Sequence, residues 1–183
     1  PSPNHKDAGI LLSANGGLRL GEVCALRVSD IDFQNGTVSI EHAVQRVRQN
    51  GKTKLIIQTP KSEKSVRVIP LPNDMMAYLK KAVSGLSQNT YILTGRTDKP
   101  MEPRTYQYYF ESVLRRCGIR KRSYHTLRHT YATRCIENGI DIKSVSEMLG
   151  HADITTTLRL YVHPSMDSKR QAVQKISFLG GVA

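Results

Sequence analysis

The chain has 183 residues, enough for one sizeable domain or at most two small ones. Lysine and arginine number 27 against 15 aspartates and glutamates, and the resulting charge of +12 points to a polyanionic partner, nucleic acid foremost, beyond a merely solvated basic surface. Cys24, Cys117 and Cys135 are odd in number and widely spaced, which speaks against a disulfide framework or a CxxC metal site, and no apolar run is long enough to cross a membrane, nor is a signal peptide visible.

The cysteines are expected as free thiols in a reducing compartment, so the protein is expected in the cytoplasm, associated with the nucleoid. The chain begins at Pro1 without methionine, which reads as a fragment of a longer product. In chain order, residues 6–15 predict a short amphipathic helix, broken by Gly16 and Gly17. Residues 20–26 restart a helix with Glu22 on its polar side, so Arg19 stands at a helix start, just after a glycine bend. From Asp30 to Pro72 the chain becomes β-branched and aliphatic, with Asn35-Gly36 and Asn50-Gly51 as turn signals. Three antiparallel strands in one sheet are predicted, roughly 37–47, 53–59 and 65–70, with Lys61 and Lys64 on the tip between the last two. A helix opens at Pro72-Asn73 and ends near Gly85; Tyr91–Leu93 reads as a short strand and residues 94–103 as a loop.

A helix over 104–117 follows, stopped by Gly118. Between Glu111 and Glu137 there is no carboxylate, and the interval holds Arg115, Arg116, Arg120, Lys121 and Arg122. That one-signed run suits a sugar-phosphate backbone, and the nearby Tyr106, Tyr108 and Tyr109 read as packing residues before base-stacking ones. Helices are predicted at 126–138, 142–149 and 154–161, capped by Asn138-Gly139, Asp141 and Asp153, and one more at 165–176. The fold class is α+β, mainly α-helical with a small three-stranded antiparallel sheet, in a single domain over 1–183.

The stretch from Tyr124 to Tyr161 concentrates the chemistry. His125, Arg128 and His129 fall at i, i+3 and i+4, on one side of a helix. His151 follows the glycine that ends the next helix, and Tyr161 ends the last. For a phosphodiester substrate, Arg19 and Arg128 are candidates to grip the oxygens that gain charge as a nucleophile adds. A tyrosine hydroxyl can attack phosphorus, with help in losing its proton because its reference pKa is about 10. A lysine can protonate the leaving sugar oxygen, and histidines can exchange protons. His125 and His129 resemble half a zinc site, but Leu127-Arg128 stand where the glutamate of HExxH belongs, so no metal is expected.

Five boxes, GLRLGE at 17–22, TPKS at 59–62, HTLRH at 125–129, LGHAD at 149–153 and LRLYVH at 158–163, resemble the tyrosine recombinases, also called the phage integrase family. They occur in the family's order across nearly the whole chain. The resemblance implies a catalytic set of Arg19, Lys61, His125, Arg128, His151 and the nucleophile Tyr161, with Glu22 orienting the active-site groups. Lys64 competes with Lys61, which the box alignment favours. Asn15-Gly16-Gly17 stand where the family more often has a threonine-glycine approach.

The resemblance also implies site-specific cutting and rejoining of double-stranded DNA through a 3′-phosphotyrosyl intermediate, with neither metal nor ATP nor other cofactor. A homotetramer on DNA is implied, with accessory DNA-bending proteins as further partners. Residues 165–183 are expected in subunit contacts, and the family's N-terminal core-binding domain is expected to lie outside this chain. Two rivals remain at this stage. Helices 141–149 and 154–161 pass for a non-catalytic helix-turn-helix module, and a topoisomerase IB-like nicking-closing enzyme shares the chemistry.

Overall fold

A computed structural model describes residues 4–49, 51–59, 66–151 and 153–158, together with Met166, Arg170, Val173 and Gln174. Lys61, Lys64 and Tyr161 lie outside the described residues, as does most of the predicted helix at 165–176, of which the four isolated residues are helical and exposed.

Seven α-helices are described: α1 His5–Gly16, α2 Leu20–Ala25, α3 Asn73–Ala82, α4 Pro103–Arg116, α5 His125–Glu137, α6 Ile142–Leu149 and α7 Thr155–Leu158. Five short strands accompany them: β1 Ile31–Asp32, β2 Thr37–Ile40, β3 Ala43–Gln49, β4 Lys52–Gln58 and β5 Arg67–Pro70. The expected α+β class, mainly helical with small antiparallel pairing, is what forms.

The single predicted sheet is corrected in its details. The run 37–47 is two strands, interrupted at Glu41 and His42, both exposed. β3 leaves to form a separate hairpin with β4, register Ala43↔Gln58 to Gln49↔Lys52. β5 returns to β2 instead, pairing Ile40↔Arg67 through Thr37↔Pro70, and β1 completes the sheet on the other side of β2. β4 and β5 therefore belong to two different sheets and do not pair with each other. Local alternation specifies a face for each strand, but the choice of neighbour is made by tertiary packing. Tyr91–Leu93 is a turn whose strand character is limited to isolated bridges from Tyr91 to Arg27 and Arg96.

The main core gathers Leu12, Val23, Val38, Ile40, Ile69, Leu79, Ile92, Tyr106 and Phe110 around α1. Tyr106 is fully buried and its hydroxyl donates to the Lys6 carbonyl, so it packs. Tyr109 donates to Asp7 Oδ1 at 2.6 Å, whereas Tyr108 is exposed. A smaller cluster of Tyr131, Ala132, Cys135, Val145 and Leu149 joins α5 to α6. Gly17 locks this cluster to the end of α1. Its φ is +66°, and a Cβ there would lie 2.6 Å from Tyr131 Cδ1 and 2.7 Å from Leu149 Cδ2, so backbone conformation and space both demand glycine. Cys24 and Cys135 are buried and Cys117 is exposed, all as free thiols.

Candidate active site

The C-terminal end of α6 is the organising feature. Asp141 caps its start by accepting from the Ser144 N–H. Gly150, at φ +63°, ends it, with its N–H on the Glu147 carbonyl and the His151 N–H on the Ser146 carbonyl at 3.1 Å, a Schellman-type closure. The next three carbonyls are taken by three arginines from three other elements. Arg67 Nε donates to Met148 O at 2.7 Å, Arg128 Nη2 to Leu149 O at 2.6 Å, and Arg19 Nη2 to Gly150 O at 3.0 Å. A helix C-terminus carries partial negative charge and unsatisfied carbonyls, so cationic donors are the matching partners.

Glu22 ties two of these arginines together. It accepts Arg67 in bidentate fashion, Nη1 on Oε1 at 3.0 Å and Nη2 on Oε2 at 2.8 Å. Its Oε1 also accepts Arg19 Nη1 at 2.7 Å, and its Oε2 the Arg19 backbone N–H at 2.8 Å. Glu22 is only 3% exposed. Burial alone raises its pKa, but the Arg67 and Arg19 donors outweigh burial and bring it to about 2. Arg128, on α5, is buried and also donates from Nη1 to Gly17 O at 2.8 Å. Arg19 and Arg128 each spend two N–H donors on these protein contacts, and a guanidinium has five. The donors left over are what an anion would meet.

His151 leaves the α6 closure half-buried, with Nδ1 2.8 Å from Thr157 Oγ1 on α7. Burial, then the charges of Arg128, Arg19, Arg67 and His125, push its pKa down to about 4, so it is neutral at physiological pH. His125 begins α5 and is exposed; its ring meets His129 edge-on, with centroids 4.4 Å apart. Its pKa is also lowered, by burial of part of the ring and by His129, Arg128 and Arg19. A cleft of about 220 Å³ beside it is lined by Arg19, Gln107, Ser123 and His125. Arg115 and Arg116 end α4, and Arg120, Lys121 and Arg122 lie between α4 and α5; all five are exposed, with Lys121 3.2 Å from Glu111.

Of the residues singled out in sequence, Arg19, Glu22, Arg128, His125 and His151 come together here. Arg19 is no lone solvated arginine: its side chain is 38% exposed and its guanidinium is anchored at two points. Among the described residues no group of three or more His, Cys, Asp or Glu is placed to hold a metal ion. Sequence reading missed Arg67 and Thr157. In VRVIPL the structure exposes the apolar Val66 and Val68 and turns Arg67 and Ile69 inward, a choice of face that the run itself does not encode. A charged residue on an inward-facing strand position requires a buried partner. Thr157 is one of three consecutive threonines, 155–157, and nothing local distinguishes it.

A family model described as the phage integrase family matches residues 1–168. A XerC-like tyrosine recombinase of Caldanaerobacter subterraneus subsp. tengcongensis is 31% identical, covering 92% of this chain and 48% of its own length. The tyrosine recombinase XerA of Thermococcus onnurineus is 30% identical, covering 100% of this chain and 59% of its own. The chain thus spans about half the length of the curated relatives it matches. Among solved structures, the Tn1549 transposon integrase in complex with transposon right end DNA aligns with a TM-score of 0.75 at 24% identity, over 92% of this chain and 58% of that one. A XerA recombinase crystal structure aligns with a TM-score of 0.68 at 24% identity, over 93% of this chain and 56% of that one. At that identity the structures establish a shared fold, while the matched family model goes further: the chain belongs to the phage integrase family, the tyrosine recombinases.

Proposed function

We propose that this chain is the catalytic domain of a site-specific DNA recombinase or integrase, cutting and rejoining strands of double-stranded DNA through a 3′-phosphotyrosyl intermediate. The observation that supports it most is the α6 terminus, where Arg19 and Arg128 are held from behind by carbonyls and retain donors for an anion. Donors fixed before the reaction stabilise charge that develops on a phosphate at little reorganisation cost. Family membership and the DNA named with the Tn1549 integrase support a DNA phosphodiester as that anion.

In this reading the Tyr161 hydroxyl attacks a DNA phosphorus. A bond forms from phosphorus to the phenolic oxygen, and the bond to the 5′-oxygen breaks. The phenolic proton passes to His125, and the departing 5′-oxygen receives one from Lys61. Arg19 and Arg128 bind the non-bridging oxygens, and neutral His151 donates a hydrogen bond from Nε2 when Nδ1 accepts from Thr157. A 5′-hydroxyl from a partner duplex reverses the step. The phosphotyrosine conserves bond energy, so the reaction needs no ATP. Arg115, Arg116, Arg120, Lys121 and Arg122 track the backbone beside the His125 cleft. Residues 1–183 act as one domain, with 165–183 reaching a neighbouring subunit in a homotetramer on DNA, helped by DNA-bending proteins, in the cytoplasm at the nucleoid.

The test is a nicked suicide duplex carrying the element's own recombination site. The protein is expected to give a denaturant-stable adduct, and Tyr161→Phe to abolish it while DNA retention stays nearly intact. An adduct that survives the change removes Tyr161 as nucleophile. No adduct on any cognate duplex favours the non-catalytic binding module, and relaxation of supercoiled DNA without strand exchange favours the topoisomerase-like reading. Chelator is expected to change nothing, and a large loss with it would restore a metal to the mechanism.

A further inference from the structure

Arg67 has no part in the catalytic set that the sequence boxes define, yet it is among the most deeply held side chains in the site. It opens β5, its side chain is 5% exposed, and Nε, Nη1 and Nη2 are all engaged. The bidentate grip leaves the Glu22 carboxylate a single orientation. That carboxylate in turn holds Arg19 twice, through its guanidinium and through its backbone N–H, so the start of α2 and the tip of the side chain are fixed by one group. The remaining nitrogen of Arg67 fixes the Met148 carbonyl, next in line to the carbonyls that hold Arg128 and Arg19. The closure of α6 delivers His151 directly after them.

We propose that Arg67 is a positioning residue of the phosphoryl-transfer site: by clamping Glu22 and the Met148 carbonyl together, it sets the Arg19 guanidinium and the turn that presents His151. The proposal rests on the recombinase reading above. The role assigned to Arg67 is exercised through the two groups it holds, Glu22 and the Met148 carbonyl. Its influence on the phosphate passes through Arg19 and His151. It also joins β5, the strand that follows the segment bearing Lys61, to both. Arg67 thereby makes the geometry of the LGHAD box depend on the GLRLGE box.

The experiment compares wild type, R67K, R67Q, E22Q and the E22Q/R67Q pair, each first checked for a cooperative thermal transition. Single-turnover adduct formation on saturating suicide duplex is expected to slow about 100-fold in R67Q, the scale of loss for a reacting group misplaced by about 1 Å. R67K keeps the charge but not the fork, so it is expected to fall between R67Q and wild type. DNA retention is expected to hold in all of them, because the loss is in the chemical step. The double variant is expected to be no slower than the slower single variant, since both act through one clamp. Nitrogen NMR of His151 gives a second readout, and R67K, which keeps the charge, shows how much of any rise comes from loss of burial instead. Losing the Arg67 charge and freeing that of Glu22 both favour imidazolium, so His151 in R67Q is expected to titrate at higher pH than in wild type.

A wild-type rate in folded R67Q overturns the proposal, as do rate losses in R67Q and E22Q that multiply in the double variant. Where R67Q shows no thermal transition, R67K gives the same readouts, and a wild-type rate with wild-type His151 titration in R67K overturns the proposal equally. Failure of the recombinase reading is separable. Wild type would then give no adduct at all, while an unshifted His151 titration in R67Q would still overturn the positioning role and one raised in R67Q beyond that in R67K would support it.

Discussion

Glu22→Gln tests the electrostatics of the site through stability alone. In the folded protein the Glu22 carboxyl moves from an ordinary 4.5 to about 2, since four donors from Arg67 and Arg19 outweigh the cost of burial. At about 1.4 kcal/mol per pKa unit, that displacement contributes roughly 3 kcal/mol at neutral pH. Removing one partner of a buried ion pair leads to a similar figure, about 3–5 kcal/mol, because Arg67 loses the Glu22 carboxylate. A domain of this size loses roughly 2–4 °C in Tm per kcal/mol, so E22Q is expected to melt roughly 6–20 °C below wild type at pH 7. The pH window follows from the sign. A folded-state pKa held below its unfolded value contributes stability that is complete above the unfolded value and is lost as pH falls through the folded one. The gap between E22Q and wild type is therefore expected to stay constant from pH 7 to about 5, then narrow steadily as pH falls from 4.5 toward 2. Calorimetric melts of both proteins at half-unit steps from pH 7 to about 2.5 read it directly. A gap independent of pH, or one below about 1 kcal/mol at pH 7, would refute the assignment of Glu22 as a buried, ionised clamp.

Three further outcomes are expected. Gly17→Ala forces a side chain into a left-handed conformation at about 1–2 kcal/mol, and its Cβ meets Tyr131 at 2.6 Å, so urea denaturation is expected to show a larger loss than conformation alone, with slower adduct formation as the Gly17 carbonyl moves off Arg128. Thr157→Val removes the hydroxyl 2.8 Å from His151 Nδ1; about 1 kcal/mol of stability and the single ring tautomer are expected to be lost, and an unchanged nitrogen NMR spectrum of His151 would count against the contact. Neutralising Arg115, Arg116, Arg120, Lys121 and Arg122 one at a time is expected to lower the slope of log affinity against log salt by about 1 for each residue that touches a phosphate; a residue with an unchanged slope lies outside the DNA interface.

How much of this was legible in sequence depended on the range of the interaction that decides it. Helix ends were readable because caps are local: Asp141, Gly150 and Asn138 each act within a few residues of themselves. The histidine and arginine at 125 and 128 were readable for the same reason, since helical spacing puts them together. Strand pairing was not, because β2 takes its partner from beyond the β3–β4 hairpin and alternation does not encode that choice. Arg67 was the instructive omission. A β-branched run with an arginine in it reads as an edge strand with a solvated tip, and only the partner Glu22, 45 positions away, turns it into an inward clamp. The catalytic boxes near Arg19 and His151 were found by resemblance, but their connection runs through carbonyls, which have no sequence signature at all.

That connection explains how a globular domain tolerates so much like charge in one corner. Arg19, Arg67 and Arg128 each disfavour the imidazolium of His151, and together they oppose one another. Left to side chains alone, the cluster would need more acid than Glu22 supplies. The α6 terminus provides the rest as dipoles: three consecutive carbonyls, fixed by the helix and by the glycine that ends it, each facing one guanidinium. Carboxylates in their place would neutralise the arginines and repel an incoming phosphate. Carbonyls orient the arginines while leaving their full charge in place, and they cannot be titrated away. Using backbone in place of acid thus keeps the corner both stable and electrostatically open to an anion, and it places the burden on a few elements keeping register: Gly17, Gly150 and the strand that holds Arg67.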